Sequence, residues 1–88
     1  MAWIIKFSET AIKQLKKIDI AASKRIMKYL RDRLMNQDDP TVFGKPLLHD
    51  KSGLWRYHID NYRMICEIKN DEVIILVLRV GHRKDIYE

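Results

Sequence analysis

Two periodicities divide the chain at its middle. Before Pro40, apolar residues recur at helical spacing: Ile12, Leu15 and Ile18, then Ala22, Ile26, Met27, Leu30 and Leu34. After Gly53 come three strand-length runs, Leu54 to Ile59, Tyr62 to Lys69 and Val73 to Val80; polar residues largely alternate with apolar ones in the first two, and the third is apolar from Val73 to Leu78. Alternation of that kind predicts strands with one covered face. Ser8 is placed to cap a first helix with Glu9 in its first turn, and the phase breaks near Asp19, so a second helix is predicted. That helix ends in Asn36 to Pro40, because proline disfavours helix at the residue before it. Trp3 to Phe7 is a short β-prone run, and Thr41 to Gly53, punctuated by Gly44, Pro46 and Gly53, is predicted as loop. The expected class is α+β: a small antiparallel sheet of about four strands packed against an N-terminal helical hairpin, in the order β-α-α-β-β-β. Residues 1–88 form a single domain.

Strand register decides which side chains meet. Asp60-Asn61 and Asn70-Asp71 lie between the runs and tolerate the left-handed backbone of tight hairpins. A two-residue loop at Asp60-Asn61 pairs Ile59 with Tyr62 and sets His58 opposite Arg63. Period two then gathers Arg56, His58 and Arg63 on one face, with Trp55, Tyr57, Ile59, Met64 and Cys66 on the other. A slip of one residue would exchange the faces. In the predicted register the basic patch is about 10 Å across.

Composition narrows the chemistry. Seventeen Lys and Arg against twelve Asp and Glu give a net charge of +5, which favours an anionic partner: nucleic acid first, an acidic protein second. The same charge is compatible with mere solubility. A lone cysteine, Cys66, rules out an internal disulfide and a multi-cysteine zinc site, and its apolar strand context predicts a buried thiol. The start of the chain is too quickly charged for a signal peptide, and no apolar run approaches membrane-spanning length, so a soluble cytoplasmic protein without a membrane partner is expected. The spacings of His49, His58 and His82 match no metal motif, and no metal or cofactor is expected.

The paired arginines fit two readings. They are either solvated strand residues or an anion site, in which guanidinium forks bind phosphate oxygens and stabilise added charge in a transition state. His58 is either an ordinary cross-strand histidine or the group that moves a proton, since an unperturbed imidazole titrates near ~6.5. Tyr87 is either a frayed terminal residue or an aromatic for base stacking or proton transfer. The helix cations Lys13, Lys16, Lys17, Lys24, Arg25, Lys28, Arg31 and Arg33 form a solvated surface or track a phosphate backbone.

In order and spacing, Lys45-Pro-Leu-Leu, Gly53-Leu-Trp-Arg-Tyr-His-Ile, Asp60-Asn-Tyr-Arg-Met-Ile, Val77-Leu-Arg-Val-Gly-His-Arg and a closing Tyr87 resemble the RelE/ParE superfamily of bacterial toxins, over nearly the whole chain. The resemblance, strongest to its RelE-like branch, implies the toxin of a type II toxin–antitoxin pair. It implies a ribosome-dependent, metal-independent endoribonuclease that cuts mRNA in the ribosomal A site by attack of the ribose 2′-hydroxyl. Its partners would be a cognate antitoxin, in a hetero-oligomer, and the ribosome with its mRNA. The catalytic residues implied are Arg56, His58, Arg63, Arg83 and Tyr87, with His82, Lys84 and Lys51 contacting substrate. Arg56 and His58 stand where RelE carries lysines, which shifts proton transfer toward His58. The rival readings are a gyrase inhibitor, as in the ParE branch, and a non-catalytic module that binds RNA or protein.

Overall fold

Capping and spacing set the helices of the computed structural model, which describes residues 2–47 and 53–82. Strand β1 (Ile4–Phe7) runs into helix α1 (Glu9–Lys17), and the Ser8 Oγ accepts a hydrogen bond from the Ala11 amide at 3.0 Å. Helix α2 (Ile20–Tyr29) opens the same way, the Asp19 carboxylate accepting from the Ala22 amide at 2.8 Å. Each cap satisfies an amide that the helix leaves unpaired, worth about 1 kcal/mol. Beyond Tyr29 the helix continues as a wider π-helical segment, Leu30–Met35. The buried stripe is Ala22, Ile26, Leu30 and Leu34, spaced by four throughout, while Met27 on its flank is exposed. Steps of four overshoot an α-helical turn by roughly 40° each. Widening the last turns keeps Leu34 over the sheet.

Among the described residues the sheet has five strands in the order β1-β5-β4-β3-β2, the others being β2 (Lys45–Pro46), β3 (Leu54–Ile59), β4 (Tyr62–Lys69) and β5 (Ile74–His82). The α+β class and the helical cover stand, with two differences from the sequence-based expectation. First, the sheet is mixed, because β1 pairs parallel to β5, with Ile4 beside Ile74 and Phe7 beside Val77. Helix α1 separates β1 from the rest of the sheet in sequence, so no hairpin dictates its direction. Second, the predicted loop contains β2, whose Lys45 pairs with Arg56 and Pro46 with Trp55. Two residues are too few to show alternation.

The β3–β4 hairpin has the predicted register, including Ile59 with Tyr62 and His58 with Arg63, and Asp60 takes the left-handed conformation at φ 54°. The next connection is longer than a tight turn. Asn70–Glu72 form a 3₁₀ turn and Val73 is left-handed at φ 55°, so β5 starts at Ile74. The core lies between helices and sheet, where Ile26, Leu30 and Leu34 meet Tyr57, Met64, Cys66, Ile75, Val77 and Val80. Full burial of each large aliphatic is worth about 1.5–3 kcal/mol. Tyr57 locks the preceding loop onto β3: its hydroxyl donates to the Pro40 carbonyl at 2.6 Å. Its ring also lies so close to Gly44 that a Cβ there would sit 2.8 Å from a ring carbon.

Candidate functional site

The face of the sheet away from the helices carries the charge. On β3, Tyr57 and Ile59 are buried against the helices, while Arg56 is half-buried and His58 exposed on the opposite side. On β4, Met64 and Cys66 are core and Arg63 stands on the open face across from His58. The Nε atoms of Arg56 and Arg63 are covered from solvent, so both arginines lie with their stems folded down rather than reaching straight into water. The structure therefore brings Arg56, His58 and Arg63 together, as the alternation predicts.

Arg79 completes the face, and alternation alone does not find it. Val77 pairs with Cys66 and Arg79 with Ile65, so Leu78 is an extra residue in β5. Continuing the alternation of Ile75 and Val77 would turn Arg79 into the core. The bulge reverses the phase, so Val80 is fully buried and Arg79 is exposed. Two adjacent rows result on the open face. One runs Lys45, Arg56, Ile65, Arg79 across β2 to β5; the next holds His58, Arg63 and Gly81, the glycine leaving Arg63 without a side chain on that flank. The three-residue spacing of the apolar Val77 and Val80 in Val77-Leu-Arg-Val-Gly81 is the only sequence signal for this phase change.

The same phase change moves His82 away from the cluster. It pairs with Tyr62 on the helix side, their rings edge-on with centroids 5.8 Å apart. Together with Gln14, Lys17 and Ile18 these rings line a cleft of about 230 Å³. Lys51, Arg83, Lys84 and Tyr87 lie outside the described residues, as does His49.

Cys66 is buried, and desolvation pushes its thiol well above the usual range, so the reactive thiolate is disfavoured. No group of three or more His, Cys, Asp or Glu side chains among the described residues is arranged to hold a metal ion. Likewise, no described helix is long and apolar enough to cross a membrane.

The fold, a mixed sheet beneath a helical cover, is shared with chains solved in toxin–antitoxin complexes. The toxin–antitoxin complex RelBE2 from Mycobacterium tuberculosis contains a chain that superposes with a TM-score of 0.83 at 25% identity, covering 97% of this chain and 95% of that one. The archaeal RelE–RelB complex from Pyrococcus horikoshii OT3 gives 0.77 at 22% identity, covering 98% and 100%, and shares the fold. In sequence, Toxin RelG of Mycobacterium tuberculosis is 28% identical over 87 residues, 99% of this chain and 98% of the relative. Residues 5–87 match the family described as ParE toxin of type II toxin-antitoxin system, parDE, and the chain belongs to that family, within the RelE/ParE superfamily of toxins.

Proposed function

We propose that this toxin is a metal-independent endoribonuclease that cleaves mRNA in the ribosomal A site. The observation that carries the reading is the pairing of His58 with Arg63, with Arg56 beside them on the same exposed face. His58 takes the proton from the ribose 2′-hydroxyl as its oxygen bonds to the adjacent phosphorus. Arg56 and Arg63 hold that phosphate and stabilise the charge of the five-coordinate transition state. The bond from phosphorus to the 5′-oxygen then breaks, the leaving oxygen gains a proton, and the products are a 2′,3′-cyclic phosphate and a 5′-hydroxyl. Resemblance to RelE gives Arg83 a role at the leaving oxygen and Tyr87 one in base stacking or proton transfer, with Lys51 and Lys84 on the substrate. His82, on the far side of the sheet from His58, would reach substrate only around the sheet edge.

A cognate antitoxin, in a cytoplasmic hetero-oligomer, is the partner that fits, since the RelBE2 and RelE–RelB relatives were solved as toxin–antitoxin complexes. The test is 5′-end mapping of mRNA on translating ribosomes with wild-type protein and Arg63→Ala. Site-specific ends carrying 5′-hydroxyls, reduced about 10²–10³-fold by the substitution, are expected. Intact mRNA with the wild-type protein would overturn the ribonuclease reading. The match to the ParE family favours gyrase inhibition as the second reading. A supercoiling assay in parallel tests it: inhibition there with mRNA left whole would establish it instead.

A further inference from the structure

We propose that Arg79 binds the substrate phosphate next to the scissile one, and that Ser8 and Gln14 of the α1 segment are positioning residues that hold it on the reactive face. This rests on the ribonuclease reading for its substrate and goes beyond it in naming a third arginine and the device that aims it.

Strand β1 ends beside Val77, where the Ser8 amide donates to the Val77 carbonyl at 2.9 Å. Past that point β5 runs on through its bulge with no strand of the described residues beside it on the β1 side, and the polar groups there need other partners. Side chains supply them. The Ser8 hydroxyl donates to the Leu78 carbonyl at 2.8 Å, and the Gln14 Oε1 accepts from the Val80 amide at 2.7 Å. These two bonds bracket Arg79 and fasten the backbone on either side of it. The bulge then keeps Val80 in the core and Arg79 outside, across Ile65 from Arg56. Two strand spacings separate Arg56 from Arg79, about 10 Å. A single-stranded backbone whose scissile phosphate sits at Arg56 and Arg63 would place its next phosphate within reach of Arg79. An arginine so placed strengthens binding without touching the reacting atoms, so its loss appears in KM more than in kcat.

The experiment measures affinity across a salt series for 70S ribosomes programmed with mRNA whose A-site codon is 2′-O-methylated, which blocks the attacking group. Cleavage kinetics on unmodified mRNA accompany it. Arg79→Ala should shrink the slope of log affinity against log salt by roughly 0.7–1, the share of one phosphate, and raise KM by a larger factor than it lowers kcat. Arg79→Lys should restore the slope. Gln14→Leu should shift KM in the same direction and add little on top of Arg79→Ala, while Gln14→Glu, which keeps an acceptor for the Val80 amide, should resemble wild type. A thermal melt of each variant identifies any effect due to unfolding. An unchanged salt slope for Arg79→Ala, or a loss confined to kcat, would overturn the role given to Arg79. Full additivity of Gln14→Leu with Arg79→Ala would remove Gln14 from it. Wild-type protein that ignores programmed ribosomes would sink the ribonuclease reading itself, and the same salt series on bare 2′-O-methyl RNA would still decide whether Arg79 takes a phosphate.

Discussion

Tyr57 and Ile59 are buried beneath the helices, while Arg56 and His58, one residue away on the same strand, stand on the open face. The two faces of the sheet are thus built from alternate residues of the same strands, under opposite physical demands. The covered face excludes charge and is filled by large apolar side chains closed over by Ile26, Leu30 and Leu34. The open face collects cations in two rows that few apolar residues interrupt. Because consecutive residues point opposite ways, core packing and the proposed chemistry fall to different side chains at close quarters. Substitutions on the two faces should therefore fail in different ways.

The largest effect belongs to the open face. Under the proposed mechanism, His58→Ala should slow cleavage by about 10²–10⁴-fold through loss of the proposed proton-transfer group, yet leave the unfolding free energy within about 0.5 kcal/mol because the side chain is exposed. Its reciprocal is Leu34→Ala, which empties a fully buried site and should cost about 2–5 kcal/mol of stability. For a domain of this size each lost kcal/mol lowers Tm by about 4–8 °C. Cleavage by the remaining folded fraction should keep its wild-type kcat. If His58→Ala melts as early as Leu34→Ala, or Leu34→Ala is as inactive as His58→Ala while still folded, the division of labour between the faces is wrong.

A smaller effect tests how dry the covered face is. Burial pushes the Cys66 thiol well up and does the same to Tyr57, whose neighbours Cys66 and Tyr29 add to the shift, while burial also raises Tyr29. All three are acids that stay protonated longer in the folded chain than in the unfolded one. Stability should therefore be complete below the unfolded values, near ~8.5 for the thiol and ~10 for the phenols, and fall as pH rises beyond them. For Cys66 alone the slope approaches about 1.4 kcal/mol per pH unit. Urea midpoints from pH 7 to 11 measure this directly. A flat profile to the top of that range would mean that water reaches the core in the native state.

How much of this was legible in the sequence follows from how local each signal is. The β3–β4 hairpin was readable because Asp60-Asn61 fixes a two-residue loop and period two does the rest, so Arg56, His58 and Arg63 fell on one face with no long-range information. Caps at Ser8 and Asp19 were equally local, although only Ser8 was anticipated. Three features were not readable. The parallel seat of β1 depends on β5, some seventy residues away in sequence. Strand β2 is two residues long, and one of them is a proline tolerated at this edge because it needs no amide partner. The bulge at Leu78 is held by the side chains of Ser8, which caps α1, and Gln14 within it, so within β5 only the three-residue spacing of Val77 and Val80 hints that the phase flips, and with it Arg79 comes out and His82 goes in.

The smallest effect expected shows that charge alone does not make a site. Arg25 on α2 pairs with Asp60 at the hairpin turn, Nε to Oδ2 at 2.6 Å, with both side chains at least half exposed. This short contact joins the helical layer to the turn between the two strands that carry His58 and Arg63. Solvent screens such a pair and the two side chains lose freedom in holding it, so Arg25→Ala should cost only about 0–1 kcal/mol, less at high salt. A double-mutant cycle with Asp60→Asn isolates the interaction, because asparagine keeps the left-handed turn at that position while removing the charge. Cleavage by Arg25→Ala should stay close to wild type. A rate loss approaching that of Arg63→Ala would show that the hairpin must be anchored to α2 for its open face to work, joining two surfaces that alternation otherwise keeps apart.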